Sequence, residues 1–199
     1  MVSYYQMKSL TDVQLISSYL EGNREAFNGL INRYSQSLYK FTYYLVNNKE
    51  EAHDIVQESF IKVWKNIKKF DQTKSFKTWI FTITERTAID FLRKRKNISF
   101  SSMDNDESEN NFAQSVPDKE PMQDEIFERN ENIELVNEVL NMIPIDLKVI
   151  MILRHGEEMT FEEIAKVVDK PVNTVKSQYR RTLFTLKEHI NSRMHRNSQ

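Results

Sequence analysis

The stretch TFEEIAKVVDKPVNTVKSQYRRT, residues 160–182, contains two short amphipathic segments separated by a turn. Thr160 and Glu163 have the spacing of a capping box, which is the signature of a helix beginning at this point. Apolar residues then recur at steps of three or four, first from Phe161 and again, after an Asp-Lys-Pro turn, from Val172. A short helix, a tight turn and a longer helix form a helix-turn-helix, whose second helix enters the major groove of DNA.

The second helix of this motif carries polar and cationic side chains on the side opposite its apolar stripe. Arg, Lys and Gln match the donors and acceptors of base edges, and cations bind phosphates. The alternative is an ordinary helical hairpin with a solvated basic face, but that interpretation leaves the tight turn unexplained. We therefore predict that seven residues bind duplex DNA: Asn173, Thr174, Lys176, Ser177, Gln178, Arg180 and Arg181.

Composition favours a helical protein of the cytoplasm. The 199 residues include only three Gly and four Pro, too few for an all-β fold rich in tight turns. Because there is no Cys, disulfides and Cys-based zinc sites are excluded, which fits a reducing cytosol. The N-terminus lacks the pattern of a signal peptide, and the longest apolar run, VIMIL at 149–153, is far too short for a membrane span.

The formal net charge of −1 hides three regions of different sign. Residues 1–96 contain 16 Lys and Arg against 10 Asp and Glu, residues 97–135 contain 2 against 11, and residues 136–199 contain 10 against 8. Local potential, rather than total charge, steers association with charged partners. Two basic ends around an acidic middle are therefore compatible with a nucleic-acid partner.

The first 96 residues have the periodicity of a helical bundle. Apolar residues step by three or four from Phe27 to Leu45, and a second stripe runs from Ala52 to Ile67. The polar loop 71–75 offers Asp and Ser as N-caps for a third helix, whose apolar face runs from Phe76 to Phe91. We expect this helix to end in the cationic run 93–96.

The chain divides into two predicted domains joined by a linker. Residues 97–122 are rich in Ser, Asn, Asp and Glu without periodicity, which is typical of a flexible acidic linker. Beyond it, a helix is predicted from Ile126 to Ile143, stopped by Pro144. The predicted fold is all-α, with small helical domains at 1–96 and 123–199.

Three stretches of the chain resemble a bacterial sigma factor of the extracytoplasmic-function type. AHDIVQESFIKVW (52–64) and SFKTWIFTITERTAIDFLRKRK (75–96) are similar to region 2 of that family, and residues 143–183 are similar to region 4. A helix-turn-helix alone is a weak signal, but the order of all three stretches around an acidic linker is specific. The resemblance implies a subunit that binds core RNA polymerase and directs transcription initiation at promoters through their −10 and −35 elements.

The resemblance implies a role for the polar side of the helix around residue 55. Asp54, Gln57 and Glu58 lie opposite the apolar stripe, and in the family this surface docks on the clamp helices of the polymerase β′ subunit. Carboxylates and an amide suit a partner that bears Arg. From the residues alone, a solvated helix face explains the same pattern.

Region 2 of the family also captures the melted −10 element, which requires aromatic planes for unstacked bases and cations for phosphates. A buried Trp79 is as compatible with the pattern as one that faces DNA. Arg86 stands where the family usually has Asn, and Gln178 stands where it usually has Arg, so base preferences cannot be transferred from relatives. The candidates for −10 binding are Phe70, Trp79, Phe81, Arg86, Arg93, Lys94, Arg95 and Lys96.

Further partners follow from the same resemblance. Region 4 would read the −35 element through the seven residues of the second helix and would contact the polymerase β flap. Members of the family are commonly held by an anti-sigma factor. The acidic linker is either a tether or a segment that threads the RNA path of the polymerase.

The alternatives belong to other functional classes. A stand-alone helix-turn-helix regulator would need a dimerisation surface and palindromic sites rather than a polymerase. Enzymes are disfavoured because the sequence has no P-loop, nucleophile elbow or zinc-helix signature, and its four His are scattered. We therefore predict a protein without enzymatic activity, cofactor or metal.

Overall fold

The computed structural model describes residues 9–102 and 138–196, called here the first half and the second half. The regular elements within these two ranges are all helical, which confirms the predicted all-α class. A 3₁₀ turn at Ile67–Lys69 follows the third helix, and residues 138–141 are also helical. The numbered helices are α1 (Asp12–Leu20), α2 (Arg24–Val46), α3 (Lys49–Asn66), α4 (Phe76–Ser102), α5 (Ile145–His155), α6 (Phe161–Val167) and α7 (Val172–Arg196).

Local signals in the sequence set the boundaries of the helices in the first half. The side chains of Asn23 and Asn48 cap α2 and α3, and each accepts a hydrogen bond from a backbone N–H of the first turn. After α2, Asn47 adopts the left-handed conformation (φ 53°), which Asn tolerates better than most residues. The Ser75 hydroxyl accepts from the backbone N–H of Thr78, so the polar loop caps α4 as predicted.

The predicted apolar stripes of α2 and α3 form the core of the first half. Leu30, Leu38 and Phe41 of α2 have no exposed surface, and neither do Ala52 and Val63 of α3. Helices α1, α3 and α4 pack around α2, with α4 also lying against α3. Burial of these side chains is the main favourable contribution to holding the helices together.

Helix α4 is longer than the sequence predicts. It runs to Ser102, past the cationic run 93–96 where we expected both the helix and the first domain to end. Residues 97–102, which follow this run, contain neither Pro nor Gly, the residues that stop helices most effectively. The rest of the predicted linker 97–122, and most of the helix predicted from Ile126 to Ile143, lie outside the described residues.

The second half contains the predicted helix-turn-helix. Helix α5 ends at Gly156, whose N–H donates to the carbonyl oxygen of Ile152 at 2.7 Å. Thr160 and Glu163 form both hydrogen bonds of the capping box that begins α6. In the turn before α7, Asp169 adopts a positive φ of 52°, which reverses the chain direction within a few residues.

The two halves pack against each other and share one apolar core. Helix α5 lies on α2, and α6 lies on α4. Helix α5 is buried along most of its length, including every residue of 149–153. Periodicity predicts which face of each helix is apolar, but it contains no information on this contact between distant parts of the chain.

Candidate interfaces for polymerase and promoter DNA

One side of α3 is exposed to solvent along several turns. Asp54, Gln57 and Glu58 are all exposed, while Ile55 and Val56 between them are buried in the core. Glu58 Oε1 lies 2.9 Å from Lys62 Nζ, a pair of exposed charges in which each partner stays accessible. The three polar side chains predicted to dock on the polymerase are therefore exposed to solvent, and no helix within residues 9–102 and 138–196 buries them.

The same side of α3 continues into two exposed apolar residues that our sequence analysis did not single out. Ile61 is 50% exposed and Trp64 is 55% exposed, and they follow Gln57 and Glu58 at helical spacing. A large aromatic ring on the surface is a common feature of protein interfaces. The exposure of Ile61 and Trp64 could have been predicted from the sequence, because both residues fall outside the apolar stripe of α3. We call Asp54, Gln57, Glu58, Ile61 and Trp64 the docking face.

A cavity of about 640 Å³ lies where the loop after α3 meets the beginning of α4. Phe70 and Trp79 form one wall, with ring centroids 4.7 Å apart. The hydroxyl oxygen of Thr78 is buried beside them and has no hydrogen-bond partner among the described residues. Lys69 and Lys74 add positive charge at the margin. An aromatic wall, an unpaired hydroxyl and nearby cations suit an unstacked base with its phosphates.

The loop that forms this cavity is held in shape by Asp71. Its Oδ1 accepts hydrogen bonds from the backbone N–H and the hydroxyl of Thr73, at 3.1 and 2.7 Å. These hydrogen bonds, helped by the positive charge of Lys74, lower the pKa of the Asp71 carboxyl. The loop therefore has a defined shape on the surface, and we call the space that it forms with α4 the loop cavity.

A second, more open cavity of about 440 Å³ adjoins the loop cavity along α3 and α4. Trp79 and Lys69 line both cavities, and Arg86 lines the second. Lys62 Nζ donates to the hydroxyl of Thr87 at 3.0 Å and adds a third cation. Our sequence analysis did not identify Lys62 or Lys69, because each is separated from the cationic run at the end of α4. A strand leaving the loop cavity would find phosphate ligands along this groove.

One predicted DNA-binding residue is contradicted by the structure. Phe81 has no exposed surface and packs edge-on against Phe41, with ring centroids 5.5 Å apart. The sequence predicts a single apolar stripe on α4. This helix contacts α2, α3 and α6, however, and therefore buries a wider face. Phe81 is a core residue. Trp79, in contrast, is half-buried and forms part of both cavity walls.

The cations predicted near the end of α4 lie on its surface. Arg86, Arg93, Lys94, Arg95 and Lys96 are all exposed. Arg95 lies 2.8 Å from Glu51, and Arg93 lies 3.7 Å from Asp90 of the preceding turn. Exposed pairs of this kind are weak and exchange readily for phosphate contacts.

Helix α7 presents its predicted DNA-binding residues to different extents. Asn173, Arg180 and Arg181 are exposed. Lys176 is half-buried, lies 3.2 Å from Glu162 of α6 and sits over the ring of Phe161, so its ammonium is held near the motif's own surface.

The small polar residues of α7 are less available. The Ser177 hydroxyl donates to the carbonyl oxygen of Thr174 at 2.9 Å, and both residues are half-buried. Gln178 is half-buried, and within the part of the chain that the structure describes its buried Oε1 has no hydrogen-bond partner. The exposed guanidinium groups are therefore the best placed to reach a DNA groove. We call Asn173, Lys176, Arg180 and Arg181 the recognition surface.

Metal clusters and membrane-spanning helices are both missing from the part of the chain that the structure describes. No group of three or more His, Asp or Glu side chains in residues 9–102 and 138–196 is arranged to hold a metal ion. Among the helices in those ranges, none combines the length and apolar character needed to cross a bilayer.

Two family models match the sequence. The model of Sigma-70 region 2 matches residues 30–98, and the model of Sigma-70, region 4 matches residues 133–185, together more than half of the chain. The docking face, the second cavity and most of α4 lie in the first match, together with every lining residue of the loop cavity except Lys166. The helix-turn-helix, including Lys166, lies in the second match.

Curated relatives and solved structures agree with these matches. The chain is 31% identical to the ECF RNA polymerase sigma factor SigX of Bacillus subtilis, over 83% of this chain and 84% of the relative. It is 30% identical to the ECF RNA polymerase sigma-E factor of Haemophilus influenzae, over 94% and 97%. The fold is similar to CnrH in complex with the cytosolic domain of CnrY (TM-score 0.67, 19% identity, 91% and 97% covered). It is also similar to RpoE of Bartonella quintana in complex with the anti-sigma factor NepR (0.66, 24%, 83% and 96%). The chain belongs to the ECF sigma factors, which direct transcription initiation by RNA polymerase at promoters.

Proposed function

We propose that this sigma factor binds core RNA polymerase through the docking face of α3 and divides promoter recognition between its two halves. The observation that carries the proposal is the docking face itself, because duplex DNA binding gives no reason for an exposed acidic and aromatic helix side. A stand-alone regulator, the alternative from the sequence, has no use for this surface, and membership of the sigma family disfavours it. The protein acts in the cytoplasm, where its polymerase is found, and the polymerase supplies the catalysis.

The docking face combines orientation with apolar contact. Asp54 and Glu58 offer carboxylates to Arg residues of the β′ clamp helices, and Gln57 offers an amide. Trp64 supplies the large apolar area that anchors interfaces, with Ile61 beside it. This division, with charges at one end and apolar anchors at the other, fixes the direction in which a partner helix lies.

The first half would hold the melted −10 element. An extruded base stacks in the loop cavity against Phe70 and Trp79, and the hydroxyl of Thr78 provides a hydrogen bond. Phosphates follow the groove past Lys62 and Arg86, and the exposed cations at the end of α4 extend the electrostatic path.

The second half would read the −35 element as duplex DNA. Helix α7 enters the major groove with Arg180 and Arg181 directed toward base edges or phosphates, and Asn173 at its exposed beginning. Lys176 must leave Glu162 to reach a phosphate, which costs little because the pair is exposed. The partners of this half include the polymerase β flap and an anti-sigma factor.

Charge reversal of the docking face tests the proposal. We expect Asp54→Lys with Glu58→Lys to abolish retention of the protein on immobilised core polymerase and to abolish run-off transcription from a promoter library. The matched control is Glu21→Lys with Glu188→Lys, two exposed carboxylates outside all proposed sites. Equal retention of the docking-face variant and the control would exclude α3 as the polymerase contact.

A further inference from the structure

We propose that Ser17 of α1 positions the loop of the loop cavity through a hydrogen bond to Gln72, so that the cavity is formed before DNA arrives. Neither residue is among the described residues that line the cavity. Ser17 is therefore a positioning residue, which acts on DNA through the loop. The effect on DNA rests on the proposed function of the cavity, whereas the placement of the loop rests on the geometry alone.

Helix α1 is anchored on the core of the first half. Leu15 and Ile16 have no exposed surface. The Asp12 carboxylate accepts hydrogen bonds from Arg33 Nη1 and from the hydroxyl of Tyr34, both on α2. Its ion pair with Arg33 is partly shielded from water, so it contributes more than a fully exposed pair would. Helix α1 is therefore a firm support for whatever rests on it.

The loop of the cavity rests on this support through one side chain. The Ser17 hydroxyl donates to Gln72 Oε1 at 3.0 Å. Gln72 is half-buried, whereas the other four residues of 71–75 are exposed. The hydrogen bonds from Thr73 to Asp71 fix the shape of the loop, but they do not fix its place on the protein. A contact with a separate helix is needed for that, and Ser17 provides one.

The aromatic wall of the cavity is tied to the same helix. Tyr34, whose hydroxyl is bound to Asp12 of α1, meets Phe76 edge-on with ring centroids 5.5 Å apart. The ring centroid of Phe76 lies 5.6 Å from that of Phe70 and 5.7 Å from that of Trp79, the two rings of the wall. Phe76 is a core residue. Since the wall and the loop both rest on residues bound to α1, the Ser17 contact keeps the loop in place relative to the wall.

A loop that already holds its binding position loses less conformational freedom when a base binds. A released loop samples other positions, and only the fraction of molecules with a formed cavity binds the base. The contact between Ser17 and Gln72 supplies the net free energy of one hydrogen bond, which corresponds to a loss in affinity of about two- to tenfold. Duplex DNA on α7 does not use the loop, so its binding should not change.

A double-mutant cycle tests whether Ser17 and Gln72 act together. We expect Ser17→Ala and Gln72→Met each to weaken binding of a fluorescein-labelled random single-stranded oligonucleotide to the full-length chain by about two- to tenfold. The double variant should bind no more weakly than either single variant. Ser17→Thr keeps the hydroxyl and should keep the affinity. Additive losses, or unchanged binding in both single variants, would overturn the proposal.

The matched control is Ser18→Ala, which removes the neighbouring hydroxyl of the same helix. Ser18 Oγ accepts a hydrogen bond from Asn23 Nδ2 at 3.1 Å, so it supports the junction of α1 with α2 and not the loop. We expect Ser18→Ala to leave binding of the oligonucleotide unchanged. Equal weakening by Ser17→Ala and Ser18→Ala would reduce α1 to a contribution to stability and would overturn its positioning role.

A measurement without DNA reports the position of the loop. With Trp64→Phe in place, Trp79 is the single Trp of the chain, and quenching of its fluorescence by acrylamide measures its exposure. We expect Ser17→Ala to increase this quenching, because a displaced loop uncovers the ring that packs against Phe70. Ser18→Ala should not change it.

Failure of this inference can be distinguished from failure of the proposed function. Unchanged quenching of Trp79 in Ser17→Ala would overturn the positioning role alone, because substitution of the aromatic wall tests the cavity independently. Increased quenching with unchanged binding of the oligonucleotide would support the placement of the loop by Ser17, but it would overturn the role of the cavity as a −10 site.

Discussion

The loop cavity of the first half and the recognition surface of the second half present their functional groups in opposite ways. The loop cavity is concave, with aromatic walls and a buried hydroxyl that lacks a partner. The recognition surface is convex, and its two Arg residues project from an exposed helix side. A concave site suits a single base removed from its stack, whereas a convex helix suits a groove of intact duplex. The difference supports the proposal that melted DNA binds at the first half and duplex DNA at the second.

Removal of the aromatic wall of the loop cavity should produce the largest change in DNA binding, and it should affect single-stranded DNA only. We expect Phe70→Ala with Trp79→Ala to weaken binding of single-stranded DNA by about 1–3 kcal/mol per stacked base, and to leave binding of −35 duplex unchanged. Fluorescence anisotropy with labelled single-stranded and duplex DNA measures both, and circular dichroism verifies that the variant is folded. Equal loss on the two kinds of DNA would contradict the division between the halves.

A substitution on the recognition surface should have the opposite selectivity and weaken binding of duplex DNA alone. We expect Arg181→Ala to weaken binding to the −35 duplex by about 1–3 kcal/mol if the guanidinium contacts a base edge. The duplex is taken from DNA captured with the polymerase-bound protein. Lys187→Ala, an exposed cation further along the same helix, is the control. An equal loss on scrambled and captured sequences would assign Arg181 to a phosphate instead.

The two halves also differ in how well the sequence predicts them. The capping box at Thr160 and Glu163 and the stripe of α7 are local signals, so the starts of both helices of the helix-turn-helix were predicted correctly. The apolar stripes of α2 and α3 were predicted correctly for the same reason, since each of these helices has one buried face. The exposed Trp64 was visible as a departure from such a stripe, but it was not selected, because single exposed apolar residues are common.

The sequence-based predictions of site residues were wrong or incomplete where the contacts come from distant parts of the chain. Phe81 lies outside the stripe of α4 in sequence, yet α2 covers it, because this helix is packed on several sides. The presence of Lys166 beside Lys69 and Phe70 in the lining of the loop cavity depends on two segments far apart in sequence. The spacing of apolar residues within one helix contains no information on such contacts between distant segments. The docking role of Asp54 and the DNA contacts of both halves stay predictions until the variants are measured.

The unpaired hydroxyl of Thr78 allows stability and function to be separated within the cavity. We expect Thr78→Val to stabilise the fold by about 1 kcal/mol, because a buried polar group without a partner carries a desolvation cost of roughly 1–3 kcal/mol. The same change should weaken single-stranded DNA binding, since the hydrogen bond to a base is lost. Urea denaturation and anisotropy measure the two effects. Loss of stability with unchanged DNA binding would show that the hydroxyl has a structural role only.

The smallest expected effect is a pH dependence through Glu85, which lies on α4 facing the second half. It acts on the equilibrium between a closed form, in which the two halves pack against each other as in the structure, and an open form in which they are separated. Burial raises the pKa of Glu85 to about 6, with Arg86 opposing the shift. The other charged groups that face it are Asp90 on the same helix, and Asp146 and Lys170 of the second half. Separation of the halves exposes Glu85 and returns its pKa toward 4.5.

The sign of this dependence follows from proton uptake. The closed form binds a proton more tightly than the open form, so closure is favoured below about pH 4.5 and this contribution is lost as the pH rises through about 6. Because Glu85 is half-exposed and therefore screened, we expect the ratio of closed to open molecules to change by less than about tenfold. The free energy of unfolding from urea denaturation should rise, relative to that of Glu85→Gln, as the pH falls from neutrality toward 5. An unchanged profile in Glu85→Gln would place the titrating group elsewhere, and a reversed slope would mean that acid opens the chain.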